Sequence, residues 1–293
     1  MVTVLQSGVT ERYRFGLVCV FAATLFTSLG GILLRWVESA SGWQILFYRS
    51  ASFVLVLLGF LALRHRGNLA VAFVAVGRPG LVVALCLGIS FATYLLAMLE
   101  TTVANVVFIL STAPFFAAAL AWILLREPVR PAFWLSLAAT LVGLAFMLGG
   151  GAVTGSLAGS LLALVSCVGF CGALVAMRER RTVDMLPAVC LAGVVTMLIS
   201  ATQVESFVLL RHDLVIAIVF GVVQLGFQFI LMTEGSRYVP AAELALISRL
   251  SVVLAPLWVW IGVDEVPNRL TLIGGAIVLT SVVAYSATGL RRG

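Results

Sequence analysis

The chain contains no lysine, only two histidines and five cysteines among its 293 residues, and just 10% of it is charged. A soluble domain carries about 25% charged residues, so a water-soluble fold of this length is excluded. Without lysine, every positive side chain is an arginine and no phosphate-binding GxxxxGK[ST] loop can be written. GGGAVTG at 149–155 is glycine-rich but joins two apolar runs, and it reads as a turn. There is no HExxH pair, and no two carboxylates lie together deep inside an apolar run. His65 and His212 fall in the breaks between runs. The chain therefore lacks the parts of an enzyme, and neither a cofactor nor a metal site is expected. Cys19, Cys86, Cys167, Cys171 and Cys190 all lie within apolar runs without CxxC spacing. They read as small apolar fillers, not as a disulfide framework or zinc site.

What is present is hydrophobic: 62% of the residues, with a mean hydropathy of +1.17. A spanning helix needs about 20 mostly apolar residues. Ten such runs are counted, near 14–36, 42–63, 79–99, 102–125, 130–149, 155–177, 184–204, 213–236, 240–261 and 268–290. Short polar or glycine-containing stretches separate them, such as RHRGN at 64–68, REPVRP at 126–131 and VDEVPN at 263–268. Barrel strands would be half as long and would alternate in polarity. The run from Phe15 to Trp36 is longer than a signal-peptide core and reads as a retained first helix. The expected fold is an all-α integral membrane protein of ten transmembrane helices.

The net charge of +6 sits in short arginine clusters between runs, which argues for a membrane surface and against nucleic acid. With the N-terminus inside, thirteen arginines fall in inner segments and three in outer ones. This predicts a multi-pass plasma (inner) membrane protein with both termini cytoplasmic.

The stretch ending WILLRE at Glu127 has a counterpart 138 residues on, ending WVWIGVDE at Glu265. At that offset Gly88 meets Gly226, Phe91 meets Phe229, Ala104 meets Ala242 and Trp122 meets Trp260. Self-similarity on this scale predicts two units, 1–150 and 151–293, of five spans each. Five is odd, so the second unit enters the membrane from the opposite side. Inverted repeats of this kind build secondary transporters, whose sites lie at the repeat interface near the midplane.

Two five-helix halves, each with an Ala-rich penultimate helix ending in an acidic turn, resemble the EamA-type drug/metabolite transporter superfamily. The stretch ETTVANVVFILSTAPFFAAALAWILLRE, with Pro114 thirteen residues before Glu127, carries the likeness. The second half departs from it, with Val252 at the position of Pro114 and Pro256 four residues later. The resemblance covers essentially the whole chain and is nearest to the aromatic amino-acid exporter branch. It implies export or exchange of small metabolites, amino acids including aromatic ones foremost, by alternating access. The alternatives are a multidrug or cationic-compound efflux carrier and an intramembrane lipid-processing enzyme.

Ionisable groups at membrane depth are costly and point to function. Arg249 and Arg49 lie inside their helices, and the planar fork of Arg249 suits a substrate carboxylate. Glu243, the repeat mate of Asn105, suits a proton or a substrate ammonium, or else pairs with Arg237. Gln224 and Gln228, four apart, share a helix face. Tyr94 and Phe108 fall nearer midplane as cavity-wall candidates. The expected substrate-binding set is thus Tyr94, Asn105, Phe108, Gln224, Gln228, Glu243 and Arg249. Gly30, Gly31, Gly169 and Gly172 permit close helix approach, and with Pro114 and Pro256 form the expected gating and helix-contact set. The expected partners are a small-molecule substrate and membrane lipid. Proton coupling, uniport and exchange all fit, and a monomer or weak dimer is expected.

Overall fold

The computed structural model describes residues 2–125, 135, 137–146, 157–179 and 183–290. Glu127, and with it the first acidic turn, lies outside the described residues. Every regular element among those described is a helix. In order they are α1 (Val2–Ser28), α2 (Gly30–Arg35), α3 (Gly42–Arg64), α4 (Leu69–Ala75), α5 (Gly77–Glu100), α6 (Val103–Ser111) and α7 (Ala113–Leu125). There follow α8 (Leu137–Phe146), α9 (Leu157–Glu179), α10 (Leu186–Ala201) and α11 (Arg211–Val219). A π-helix, π1 (Phe220–Phe227), continues into α12 (Gln228–Gly235), and the chain closes with α13 (Ala241–Ser248), α14 (Leu250–Val263) and α15 (Arg269–Leu290).

Among the described residues, six stretches are long and apolar enough to cross a membrane: Glu11–Arg35, Gly42–Arg64, Gly77–Glu100, Val103–Leu120, Leu157–Met177 and Arg211–Gly235. Shorter apolar helices lie at Leu137–Phe146, Leu186–Ala201, Leu250–Val263 and Arg269–Ser281. The protein is an all-α integral membrane protein. Large apolar side chains such as Leu55, Leu63, Val253 and Ile261 are exposed, as expected where a helix faces lipid. Two features differ from the sequence reading. The connection at 64–78 contains α4, a short helix, and His212 belongs to the first turn of α11.

The helix starts are set locally. At α3 the Ser41 hydroxyl accepts the Gln44 N–H at 3.2 Å, and the Gln44 side chain accepts the Ser41 N–H at 2.8 Å. This reciprocal capping box satisfies two otherwise orphaned donors. Thr102 accepts the Asn105 N–H at 3.3 Å and starts α6. Pro114, second residue of α7, has no N–H to continue the α6 ladder, and the helix breaks at Thr112. A second break, at Arg249 between α13 and α14, falls one residue from the repeat mate of Thr112. No proline produces it, because Pro256 lies inside α14 and leaves that helix continuous.

Close approaches depend on small residues. A Cβ on Gly88 of α5 would meet Val195 of α10 at 2.7 Å, and one on Gly226 of π1 would meet Val56 of α3 at 2.9 Å. Moving each residue to its repeat mate, Gly88 forward by 138 and Val195 back by 138, gives the second pair to within one residue. Phe91 and Phe229, repeat mates, touch each other edge to face at 5.9 Å between ring centroids. Gly169 and Gly172 of α9 let that helix lie against Cys86 of α5, and Gly31 is pressed by Val103 and Val259.

Two larger buried apolar clusters result among the described residues, beside a small one of Ala117, Cys167 and Cys171. One gathers Ile32, Leu46, Met98, Val103 and Val259, the other Phe53, Leu61, Val83, Leu186 and Val189. Each lies beside an ion-pair group: Arg35 with Glu265, and Arg64 with Asp184 and Glu234.

Candidate functional site

A cavity of about 420 Å³ draws its wall from both larger clusters. Tyr94, Val107, Leu110 and Ala255 come from one, and Phe91, Phe170, Leu225 and Phe229 from the other. Its volume is within the roughly 300–1,000 Å³ of small-molecule sites. The polar wall consists of Arg49, Gln224, Gln228, Arg249 and a set of hydroxyls. No Asp, Glu, His or Cys lines it among the described residues.

Arg49 is the outstanding group. It lies on α3 with 1% of its surface exposed. Its Nη2 donates to the Gln224 side-chain oxygen at 3.3 Å, while Nε and Nη1 have no hydrogen-bond partner. The Phe220 ring centroid is 4.5 Å from the guanidinium carbon and that of Tyr94 5.9 Å. Cation–π contact offsets part of the desolvation of the guanidinium, but no carboxylate among the described residues neutralises it.

The π-helix brings Gln224 to this place. Inserted π turns in α-helices are frequent at functional sites. Here Gly221 allows π1 to press on the Arg49 carbonyl and the Ser52 hydroxyl, where a Cβ would overlap both. Gln224 and Gln228 both face the cavity. Gly30, just past the break between α1 and α2, supports the same wall. A Cβ there would come within 3.2 Å of the Tyr94 hydroxyl and 3.3 Å of the Gln224 amide nitrogen.

Arg249 reaches the cavity from the break between α13 and α14. It makes no ion pair or hydrogen bond among the described residues. The lining serine and threonine hydroxyls are already committed, which leaves the Tyr94 hydroxyl. Ser90 and Ser166 each donate to the other's carbonyl, at 2.8 and 2.9 Å. Ser111 and Ser248 donate to backbone carbonyls of their own helices, and Ser251 donates across the break to the Ser248 carbonyl. The donors left for a ligand are therefore chiefly the guanidinium and amide groups.

Four residues of the expected substrate-binding set, Tyr94, Gln224, Gln228 and Arg249, line this cavity. The other three lie elsewhere. Asn105 donates to Thr101 at 3.1 Å and Ser160 at 2.7 Å, tying α6 to α9. The Phe108 ring covers Gly275 of α15. Glu243 accepts the Tyr13 hydroxyl at 2.5 Å and does not line the cavity. Arg237 pairs with Glu234 at 3.5 Å instead of with Glu243. Arg49, outside the expected substrate-binding set, is the more deeply buried of the two lining arginines. The only sequence signal for it was a charge inside an apolar run.

Pro114 stands at the head of α7 and Pro256 in the body of α14; neither lines the cavity. Away from the cavity, one membrane-facing end of the bundle is tied by a single arginine. Arg35 Nε donates to Glu265 at 2.6 Å, and its other nitrogens donate to the Met98 and Thr101 carbonyls at 2.7 and 3.0 Å. The second Glu265 oxygen accepts the Val103 N–H at 2.7 Å. This knot joins α2, α5, α6 and the α14–α15 connection.

The EamA-like transporter family model matches the chain twice, at residues 14–149 and 157–287. The chain is 26% identical over 297 aligned positions to the pseudopaline exporter CntI of Pseudomonas aeruginosa strain UCBPP-PA14, covering 97% of each. The same values hold for that exporter in strain PAO1. A crystal structure of another protein matches with a TM-score of 0.64 at 19% identity, over 94% of this chain and 98% of that one, which shows the fold alone.

Proposed function

The chain belongs to the EamA-like transporter family, and from that membership we propose that it exports small carboxylate-bearing metabolites, amino acids among them, by alternating access. It is a multi-pass membrane transporter and not an enzyme. The observation that carries the reading is the cavity wall: two guanidiniums and two amides beside aromatic rings, with no carboxylate among the described lining residues. A planar guanidinium suits a carboxylate because it presents parallel N–H donors. The rings of Phe91, Tyr94, Phe170 and Phe229 suit an aromatic or aliphatic side chain. The similarity to a pseudopaline exporter supports a small metabolite as cargo. Efflux of cationic drugs is disfavoured by the same wall, since a cation would meet two like charges and no acid.

The transport mechanism in this proposal uses two inverted five-span units, 1–150 and 151–293, ten spans in all. Its support is the recurrence at one offset of the Gly88–Val195 and Gly226–Val56 contacts, together with the helix breaks at Thr112 and Arg249. Repeat mates that touch, as Phe91 and Phe229 do, lie beside a two-fold axis, and both rings line the cavity. In the inner membrane with cytoplasmic termini, the Arg35–Glu265 knot is the outer end and the Arg64 group the inner end. Glu243, hydrogen-bonded to Tyr13, is the available proton carrier if export is coupled.

Counterflow in proteoliposomes tests this reading. Vesicles loaded with unlabelled phenylalanine or glutamate should accumulate the labelled solute transiently and saturably. No counterflow of any carboxylate, with accumulation of a cationic dye, would replace the proposal with the efflux alternative.

A further inference from the structure

We infer that the cavity is built for a solute with two separate anionic groups, one received by Arg49 and one by Arg249, in preference to a simple zwitterion. The inference rests on the exporter reading above and narrows its substrate class. Arg49 is 1% exposed and has two nitrogens without partners, on the wall of a cavity that holds no acid among its described lining residues. A buried, unpaired guanidinium carries a desolvation penalty that a bound anion relieves. Its single protein acceptor, the neutral oxygen of Gln224 at 3.3 Å, does not balance its charge.

Arg249 provides a second positive group from a different helix pair. It lies at a helix break, lines the same space and pairs with no described carboxylate. Glu243, on the same helical hairpin arm, is engaged by the Tyr13 hydroxyl and stands outside the lining. One carboxylate therefore leaves one guanidinium uncompensated. A zwitterion brings, in addition, an ammonium that finds no carboxylate. Two carboxylates neutralise both arginines and leave the amides of Gln224 and Gln228 to hydrogen-bond whatever lies between them. Phe91, Phe170 and Phe229 then cover an apolar portion.

The test uses four probes sharing a phenyl group: phenylsuccinate with two carboxylates, 3-phenylpropionate with one, L-phenylalanine as the zwitterion, and phenyl phosphate with its charge on one group. Thermal unfolding of the full chain in detergent is followed against each, since a ligand that binds the folded state raises its apparent stability. Phenylsuccinate is expected to act at a midpoint concentration at least tenfold lower than the other three. Arg49→Gln and Arg249→Gln should each raise that midpoint at least tenfold, to the level of 3-phenylpropionate in the unsubstituted protein. Shifts are read against each variant's own ligand-free unfolding temperature. Arg249 is partly exposed, so its variant gives the answer even if Arg49→Gln does not fold. Equal midpoints for phenylalanine and phenylsuccinate, or a dicarboxylate preference that survives in Arg249→Gln, overturn the inference and leave the carboxylate exporter standing. Preference for phenyl phosphate assigns a single doubly charged group and overturns it too. No response to any carboxylate, with no carboxylate counterflow, removes both readings.

Discussion

Arg35 and Arg49 are the same residue type in the same membrane protein, one near a bundle end and one in the interior. Arg35 has each of its three nitrogens donating: to Glu265, to Met98 and to Thr101. Arg49 is more deeply buried, yet it has one weak amide contact and two nitrogens with no partner. The difference separates two uses of a charge at low dielectric. A fully satisfied guanidinium fixes backbone segments to one another, because moving any segment breaks a charge-assisted bond. An unsatisfied one is kept only where the surroundings are so firmly packed that it cannot leave, and such a group is available to something that arrives later. The packing that confines Arg49 is visible: Phe220 on one side, Gly221 against its carbonyl, and Tyr94 on the cavity side.

The contrast is sharpest when each arginine is removed. Arg49→Gln should lower carboxylate counterflow more than tenfold while leaving the ligand-free unfolding temperature no lower than wild type, since no ion pair is broken. An unfolding temperature several degrees lower, with transport intact, would make Arg49 a structural residue like Arg35. Gly221→Ala attacks the packing behind Arg49. Its Cβ would overlap the Arg49 carbonyl and the Ser52 hydroxyl, and overpacking of this kind costs about 1–3 kcal/mol. Gly59→Ala on α3, where nothing lies within 4 Å, is the control and should gain up to about 1 kcal/mol from helix propensity. Equal unfolding temperatures for the two would show that π1 does not press on α3 as described.

Arg35→Ala should cost about 2 kcal/mol, because it strands the Glu265 carboxylate and two carbonyls. Ligand midpoints should remain within about threefold of wild type. A double-mutant cycle with Glu265→Gln measures the pair itself, and a coupling indistinguishable from zero would mean the knot does not tie the two helices. The smallest effect belongs to Arg64→Ala. Arg64 reaches Asp184 at 3.2 Å and Glu234 at 3.3 Å, but the groups are between 23% and 29% exposed. Partly wet pairs of this kind are worth about 1 kcal/mol or less. A loss above that of Arg35→Ala, in the same unfolding assay, would invert the comparison between the two ends.

Much of the fold was readable before any coordinates. The run at 42–63 became α3 (Gly42–Arg64), that at 79–99 became α5 (Gly77–Glu100), and that at 155–177 became α9 (Leu157–Glu179). The site was readable in part. Tyr94, Gln224, Gln228 and Arg249 share the cavity, because each is a polar or amphipathic group in an apolar run and must find an interior place. Asn105 and Glu243 met the same criterion and found other partners, Ser160 and Tyr13, while Phe108, chosen for its depth alone, packs over Gly275. Polarity at membrane depth says that a group will turn inward. It does not say which of several inward surfaces receives it.

Sequence alone determined the class of molecule, because hydropathy adds along the chain and a bilayer reads the sum over about 20 residues. It also held the repeat, since the offset of 138 is a property of letters and not of contacts. Only the tertiary structure decided that Arg49 has no acid beside it and that Gln224 is its neighbour. Those facts depend on how α3 meets π1, where a π turn changes the direction of every following side chain and a missing Cβ at Gly221 sets the distance between helices. Pairing of charges across helices is a matter of crossing geometry, which a linear pattern of polarity does not contain.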